Sequence, residues 1–304
     1  MSEAYLRFWG VRGSYSAPSK SHLGVGGNTS CVEIRVGEHI LLCDAGTGLI
    51  NFGNEILKQS KIKELFIILT HYHWDHICGL PYFGPAFTPN WDISIFGPGQ
   101  SEKDIEEYVS AQMKAPFFPV GTETWLASIN YPKPPEDHKM SHGPISFSYQ
   151  NVHHPGTTYG YRINANGKTV LYISDNECLY LEKSVKQKYQ EMSKEEQGLY
   201  DRMQKEEYED ELKLLQGADI LIHDAQYTLE DYEKKRGWGH SCYIDTVNTA
   251  IDAGVSELYL YHHDPTYDDN AMEAIQTHAQ DIVKQRNSSM KCYIAREGTI
   301  IDLS

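Results

Sequence analysis

The sequence predicts a chain of α+β class folded as a four-layer αββα sandwich, and two observations carry that prediction. Short apolar runs rich in Ile, Val, Leu and Tyr alternate with turn clusters and with stretches whose apolar residues recur three or four apart. One hairpin pattern also occurs twice: Val32–Val36, Gly37 and Ile40–Cys43 ending at Asp44 is echoed by Tyr161–Ile163, Gly167 and Val170–Ile173 ending at Ser174 and Asp175. Each copy would form a sheet, deliver an aspartate to the C-terminal end of its second strand, and bury one face against the other copy with helices outside.

In chain order, strands are expected at Tyr5–Trp9, Val32–Val36, His39–Cys43, Leu65–Leu69, Ile93–Phe96, Ile145–Tyr149, Tyr161–Ile163, Val170–Ile173 and Leu258–Tyr261. Helical periodicity covers Asp104–Lys114, Tyr180–Leu215, Ile244–Ala253 and Asn270–Arg286. Residues 1–304 read as a single domain with two additions. The segment 111–135 is rich in aromatics and proline and suits a lid, and Phe117, Phe118 and Trp125 within it are candidates to stack on a base. The segment 182–215 is dense in Lys, Glu and Gln and suits a charged helical insertion.

Composition excludes several classes. At 304 residues and 40 % hydrophobic content the chain can bury a substantial core. A net charge of -15, without a Lys/Arg run, makes long nucleic acid a poor partner. The N-terminus lacks a basic segment followed by an apolar one and no apolar stretch reaches spanning length, so a cytoplasmic protein without membrane association is expected. Six dispersed cysteines lack the paired spacing of zinc knuckles or disulfide frameworks and read as packed thiols.

The densest chemistry lies in Thr70-His71-Tyr72-His73-Trp74-Asp75-His76, directly after a strand-like run. Three imidazoles and a carboxylate at that spacing suit two neighbouring divalent cations. Further donors sit at other strand ends: His153 and His154, Asp175, and His262 and His263. Alternation alone leaves open which member of each histidine pair faces the site. Asp44 is placed either to fix a histidine tautomer or to cap the turn at Gly46.

These residues resemble the signature of the metallo-beta-lactamase superfamily over most of the chain, and the αββα sandwich is the fold this resemblance implies. It implies two divalent metal ions per chain, zinc first, with manganese or iron admitted. His71, His73 and His154 would bind one, Asp75, His76 and His262 the other, and Asp175 both; the spacing to Gly160-Tyr161-Arg162 selects His154 over His153. Two further runs, Leu221-Ile222-His223-Asp224-Ala225-Gln226 and Gly237-Trp238-Gly239-His240-Ser241, resemble the paired accessory motifs of the phosphodiesterase branch. There Asp224 stands in place of the usual glutamate. Asp75, Asp224 and His240 would be the catalytic residues, with His240 meeting the leaving oxygen or a phosphate oxygen. Gly24–Ser30 and Trp9–Ser14 resemble the N-terminal part of cyclic-phosphodiesterase-like members, where Asn28 and Ser30 lie near the first metal.

The expected activity is hydrolysis of a small phosphodiester, a 3',5'-cyclic nucleotide or related cyclic phosphate, by a water shared between the cations. A tRNA 3'-processing endoribonuclease is the alternative, set lower because the charged insertion is too acidic to grip tRNA; lactone or thioester hydrolysis ranks below both. A structural metal module is disfavoured because closed zinc sites are thiolate-rich. Oligomeric state stays open, a homodimer included.

Overall fold

The computed structural model describes residues 3–59, 61–181 and 189–304. The first sheet contains β1 (Ala4–Gly10), β2 (Cys31–Val36), β3 (His39–Cys43), β4 (Glu64–Ile68), β5 (Asp92–Phe96) and β6 (Ser128–Asn130). The second contains β7 (Lys139–His142), β8 (Ile145–Asn151), β9 (Tyr159–Ala165), β10 (Lys168–Ile173), β11 (Ile220–Asp224), β12 (Glu257–Tyr261) and β13 (Lys291–Ile294). The last strand, β14 (Ile300–Asp302), returns to the first sheet beside β1. The orders are β14-β1-β2-β3-β4-β5-β6 and β13-β12-β11-β10-β9-β8-β7.

The repeated hairpin organises both sheets. β2 and β3 pair antiparallel, as do β9 and β10, and each pair is followed by parallel strands: β4, β5 and β6 in one sheet, β11, β12 and β13 in the other. Residues with positive φ make both tight turns, Gly37 at 63° in one and Asn166 and Gly167 at 50° and 82° in the other. Strands covered on both faces are buried almost throughout, as in β3 and β11, whereas β8 alternates buried and exposed residues. One contiguous apolar core runs through both sheets, from Leu6 and Phe8 to Tyr161, Leu221 and Leu260.

Helices form where capping signals allow. Ser101 and Asp104 make a reciprocal capping box for Glu102–Ala111, and Asp268 caps Asp269–Gln285. Within the expected insertion, the long helix starts at Lys194 rather than Tyr180, because Ser193 and Glu196 form a second capping box, and it runs to Leu215. Residues 182–188 of that expectation lie outside the described residues. The segment 111–135 supplies β6, which pairs with β5. Trp125 is buried against Phe87 and Phe118 packs on Tyr82, while Phe117 is exposed. Trp125 thus serves packing and is not free to stack on a ligand. Among the described residues no helix is long and apolar enough to cross a membrane.

Candidate metal centre

The parallel strands of both sheets end on the same side, where an open α/β architecture collects its ligands. His71 follows β4 by three residues, Asp175 follows β10 by two, Asp224 closes β11 and His262 follows β12. A four-residue helix, Trp74–Ile77, turns the HxHxDH segment back so that Asp75 and His76 face inward. Two backbones here leave the pleat: Asp44 and His262 have φ of 61° and 57°, a left-handed conformation that is strained for residues with a Cβ and concentrates at functional sites.

Two groups of donors result. His71, His73 and His154 form one, with His154 Nε2 3.1 Å from His73 Nδ1. Asp75, His76 and His262 form the other; His76 Nε2 and His262 Nε2 are 3.1 Å apart, and Asp75 Oδ2 is 3.1 Å from the latter. Asp175 lies between them, its Oδ2 3.8 Å from His71 Nε2, 3.7 Å from His154 Nε2 and 3.5 Å from His262 Nε2, and its Oδ1 3.1 Å from His76 Nε2. His153 and His263 point elsewhere. His153 faces Glu207 and stacks on Tyr180, and His263 meets the Ala295 carbonyl.

The hydrogen bonds behind the rings fix which nitrogens are lone pairs. His76 Nδ1 donates to Asp44 Oδ2 at 2.8 Å and His154 Nδ1 to the Gly239 carbonyl at 2.8 Å. Thr70 Oγ1 gives its proton to Asp44 and accepts from His71 Nδ1, and Gln226 Oε1 accepts from His262 Nδ1. With the Nδ1 atoms so committed, Nε2 of His76 and Nε2 of His262 are the atoms left to ligate and face one another 3.1 Å apart, an arrangement that a cation replacing the His76 Nε2 proton satisfies. His71 Nε2 and Asp175 Oδ1 are buried and make no hydrogen bond among the described residues. The donor set therefore fits two divalent cations.

Electrostatics agrees. Burial lowers the pKa of His71, and neighbouring His76 lowers it further. Burial would also lower that of His76, but Asp175, Asp75 and Asp44 outweigh it and hold the ring well above its ordinary range. The carboxylates thus concentrate negative charge that calls for cations. Burial raises Asp175, yet His262, His76 and His71 more than reverse this and keep it ionised.

Asp44, one of whose two expected roles was to fix a histidine tautomer, meets His76 Nδ1 and accepts from Thr70 and Tyr172 as well. Other supporting residues escaped the sequence reading. Ser14 donates its backbone N–H to Asp75 Oδ2 at 2.7 Å. Glu177 accepts from the N–H groups of Gly237 and Gly239, shaping the loop that carries His240. Gly13 and Gly239 are glycine for a visible reason: a Cβ on either would lie 2.4 Å from a ring atom of His262 or His154. The glycine-rich runs were the available signal, but their neighbours could not be read from spacing. Asn28 gives its side-chain amide and its backbone N–H to Glu297, and Ser30 is buried.

His240 completes the centre. Its Nδ1 is 2.7 Å from Asp224 Oδ2, and its ring stacks on His262 with centroids 4.9 Å apart. Asp224 Oδ1 in turn accepts from the N–H groups of Gln226 and Ser241. Tyr72, between His71 and His73 in the chain, lines a cleft of about 690 Å³ together with Tyr108, Tyr159, Asp104 and Thr157.

Paired sheets with converging histidine and aspartate donors at their shared edge define a metal-dependent hydrolase. The model of the metallo-beta-lactamase superfamily matches residues 24–178. The chain belongs to that superfamily. Ribonuclease Z of Latilactobacillus sakei is 27 % identical over 258 residues, 75 % of this chain and 78 % of that one. Among solved structures, the metallo-beta-lactamase fold protein YhfI from Bacillus subtilis superposes with a TM-score of 0.66 at 18 % identity, covering 99 % of this chain and 100 % of the other. A diphosphatase of the PhnP family superposes at 0.64 with 16 % identity, covering 99 % and 98 %.

Proposed function

We propose that this chain is a phosphodiesterase that cleaves RNA at the 3' side of precursor tRNA, the reaction its ribonuclease Z relatives are named for. The observation that carries the reading is the 2.7 Å Asp224–His240 pair beside the two donor groups, on a chain similar to ribonuclease Z over three quarters of its length. The sequence alone placed a cyclic nucleotide first, and the relatives support the reverse order. His71, His73 and His154 would hold one divalent cation, Asp75, His76 and His262 the second, and Asp175 would touch both, with zinc suited to the nitrogen-rich set. Bound there, the cations would supply an acidified water and neutralise charge on the phosphoryl group.

The protein's own groups do the rest. Asp44, Gly239, Thr70 and Gln226 hold the imidazoles in the ligating tautomer. Asp224 occupies His240 Nδ1, which leaves Nε2 to hold a phosphate oxygen or to give a proton to the departing one. The tyrosine-lined cleft offers ring faces to nucleobases flanking the scissile bond.

A second reading, a small phosphodiester such as a cyclic nucleotide, is favoured by the net charge of -15 and by the Lys194–Leu215 helix, in which eight acidic residues face four basic ones. Parallel assays on a precursor tRNA with a 3' trailer, bis(p-nitrophenyl) phosphate and a panel of cyclic nucleotides separate the two. Trailer removal supports the first reading; turnover confined to small diesters replaces it with the second; no diester turnover with metals bound refutes both.

A further inference from the structure

A second cluster of ligating atoms lies outside the catalytic donors. Cys178, in the turn after β10, His223, on β11, and Glu211, on the Lys194–Leu215 helix, bring one ligand atom each to within 4.8 Å of one another. Cys178 and His223 are 2 % and 1 % exposed. We infer that these three side chains form a mononuclear site for a thiophilic divalent cation, zinc by preference, which fastens the acidic helix to the catalytic sheet.

The geometry favours a cation. Cys178 Sγ and His223 Nε2 are 3.8 Å apart, close to the roughly 3.6 Å expected between sulfur and nitrogen ligands of a tetrahedral zinc. His223 Nδ1 donates to the Asp224 carbonyl at 2.8 Å, so Nε2 carries a lone pair and is held toward the cluster. Asn176 Nδ2 donates to Glu211 Oε1 at 3.2 Å and to His223 Nε2 at 3.3 Å and lies 3.7 Å from Cys178 Sγ, so one amide nitrogen reaches all three ligand atoms, and a cation among them would replace these contacts. A thiolate, an imidazole and a carboxylate form a mixed set that suits zinc better than magnesium or calcium. Burial depresses the His223 pKa, so the ring is neutral and ready to ligate. Burial also keeps Cys178 as a thiol, so cation entry displaces its proton to solvent.

The helix has need of such a tie. Leu215 is its only buried residue, so no apolar stripe fixes it to the sheet. Polar contacts hold it instead. Glu207 accepts from the Leu181 N–H, Glu211 takes the Asn176 amide, and Leu214 and Gln216 at its end accept from Arg162. The cation would join three elements separated in sequence.

Cobalt provides the test, because the His/Asp centre contains no sulfur ligand and only a thiolate gives a near-ultraviolet sulfur-to-cobalt charge-transfer band. The full chain is stripped with a chelator and reloaded with Co2+ alone. The expected result is a third equivalent of bound cobalt accompanied by that band, both lost in Cys178→Ser, both kept in Cys78→Ser, and both weakened in Glu211→Gln. Uptake without the band in the unaltered chain, or a band that survives Cys178→Ser, overturns the site.

Discussion

Asp224 Oδ2 and His240 Nδ1 meet at 2.7 Å although aspartate reaches one methylene less far than glutamate. The shorter side chain is compensated by the backbone, since the N–H groups of Gln226 and Ser241 both bind Asp224 Oδ1 and draw β11 and the His240 loop together. The expected consequence is that His240→Ala leaves the metal content at two in the His/Asp centre while turnover falls by roughly 10²- to 10⁴-fold, the range of a lost general acid. Plasma mass spectrometry beside steady-state hydrolysis checks it. Loss of metal in this variant would move His240 from chemistry to ligation.

Asp44 acts from behind. Replacing it by Asn removes the carboxylate that accepts the His76 Nδ1 proton, along with the charge facing Thr70 and Tyr172. Metal affinity should weaken by roughly 10- to 100-fold, as for other carboxylate–histidine–metal partners. Titration with a competing chelator measures this, and an unchanged affinity would assign Asp44 to packing alone.

Gly239 has φ of 88°, and a Cβ there would lie 2.4 Å from His154 Nδ1 and 2.3 Å from Pro155. Gly239→Ala is expected to displace His154, lower occupancy of the His71–His73–His154 group and reduce turnover by roughly tenfold or more, in line with a disturbed ligand support. Gly156, where a Cβ meets nothing within 4 Å, supplies the control. Equal metal content in Gly239→Ala and Gly156→Ala would show that the contact is tolerated.

A pH effect follows from His142 at the end of β7. Burial lowers its pKa and His39 adds to this, while Glu64 at 3.6 Å offsets only part. The folded chain therefore keeps the ring neutral, whereas the unfolded chain binds a proton at about pH 6.5. Below that pH the unfolded state holds more protons, so stability falls as pH drops from about 6.5 toward the depressed folded-state value. In His142→Leu, the fall in Tm between about pH 7.5 and about pH 5.5 should be smaller than in the unaltered chain. Identical falls would assign the acid sensitivity to other groups.

Much of this was legible from residues. The HxHxDH run and the aspartates after two similar hairpins stood out because metal ligation constrains residue type and spacing together, and β-strand periodicity is local. The histidine pairs resisted alternation for a specific reason. His262 has left the pleat, with φ of 57°, so the face it presents is not set by the strand before it. Glu177, Gln226 and Ser14 serve the site through contacts across 62, 36 and 61 residues, some of them to backbone N–H groups that leave no trace in residue type. The late helix start at Lys194 had a signal, Ser193 followed by Glu196, which the 3.6-residue periodicity of the longer stretch obscured.

The repeated hairpins place the metal centre on a seam. His71, His73, Asp75 and His76 come from the first copy, and His154, Asp175 and His262 from the second, so neither copy alone completes a set of donors. Bound cations would then act as cross-links between the two halves, beside the returning strand β14 and backbone contacts such as Tyr159 N–H to the Thr70 carbonyl and His263 N–H to the Val11 carbonyl. Any ligand that binds only the joined form stabilises it by mass action, by about 4 kcal/mol when its free concentration is a thousandfold above Kd. Loading with metal would then be linked to the closing of the sandwich, and a chelator would loosen this protein along a single plane.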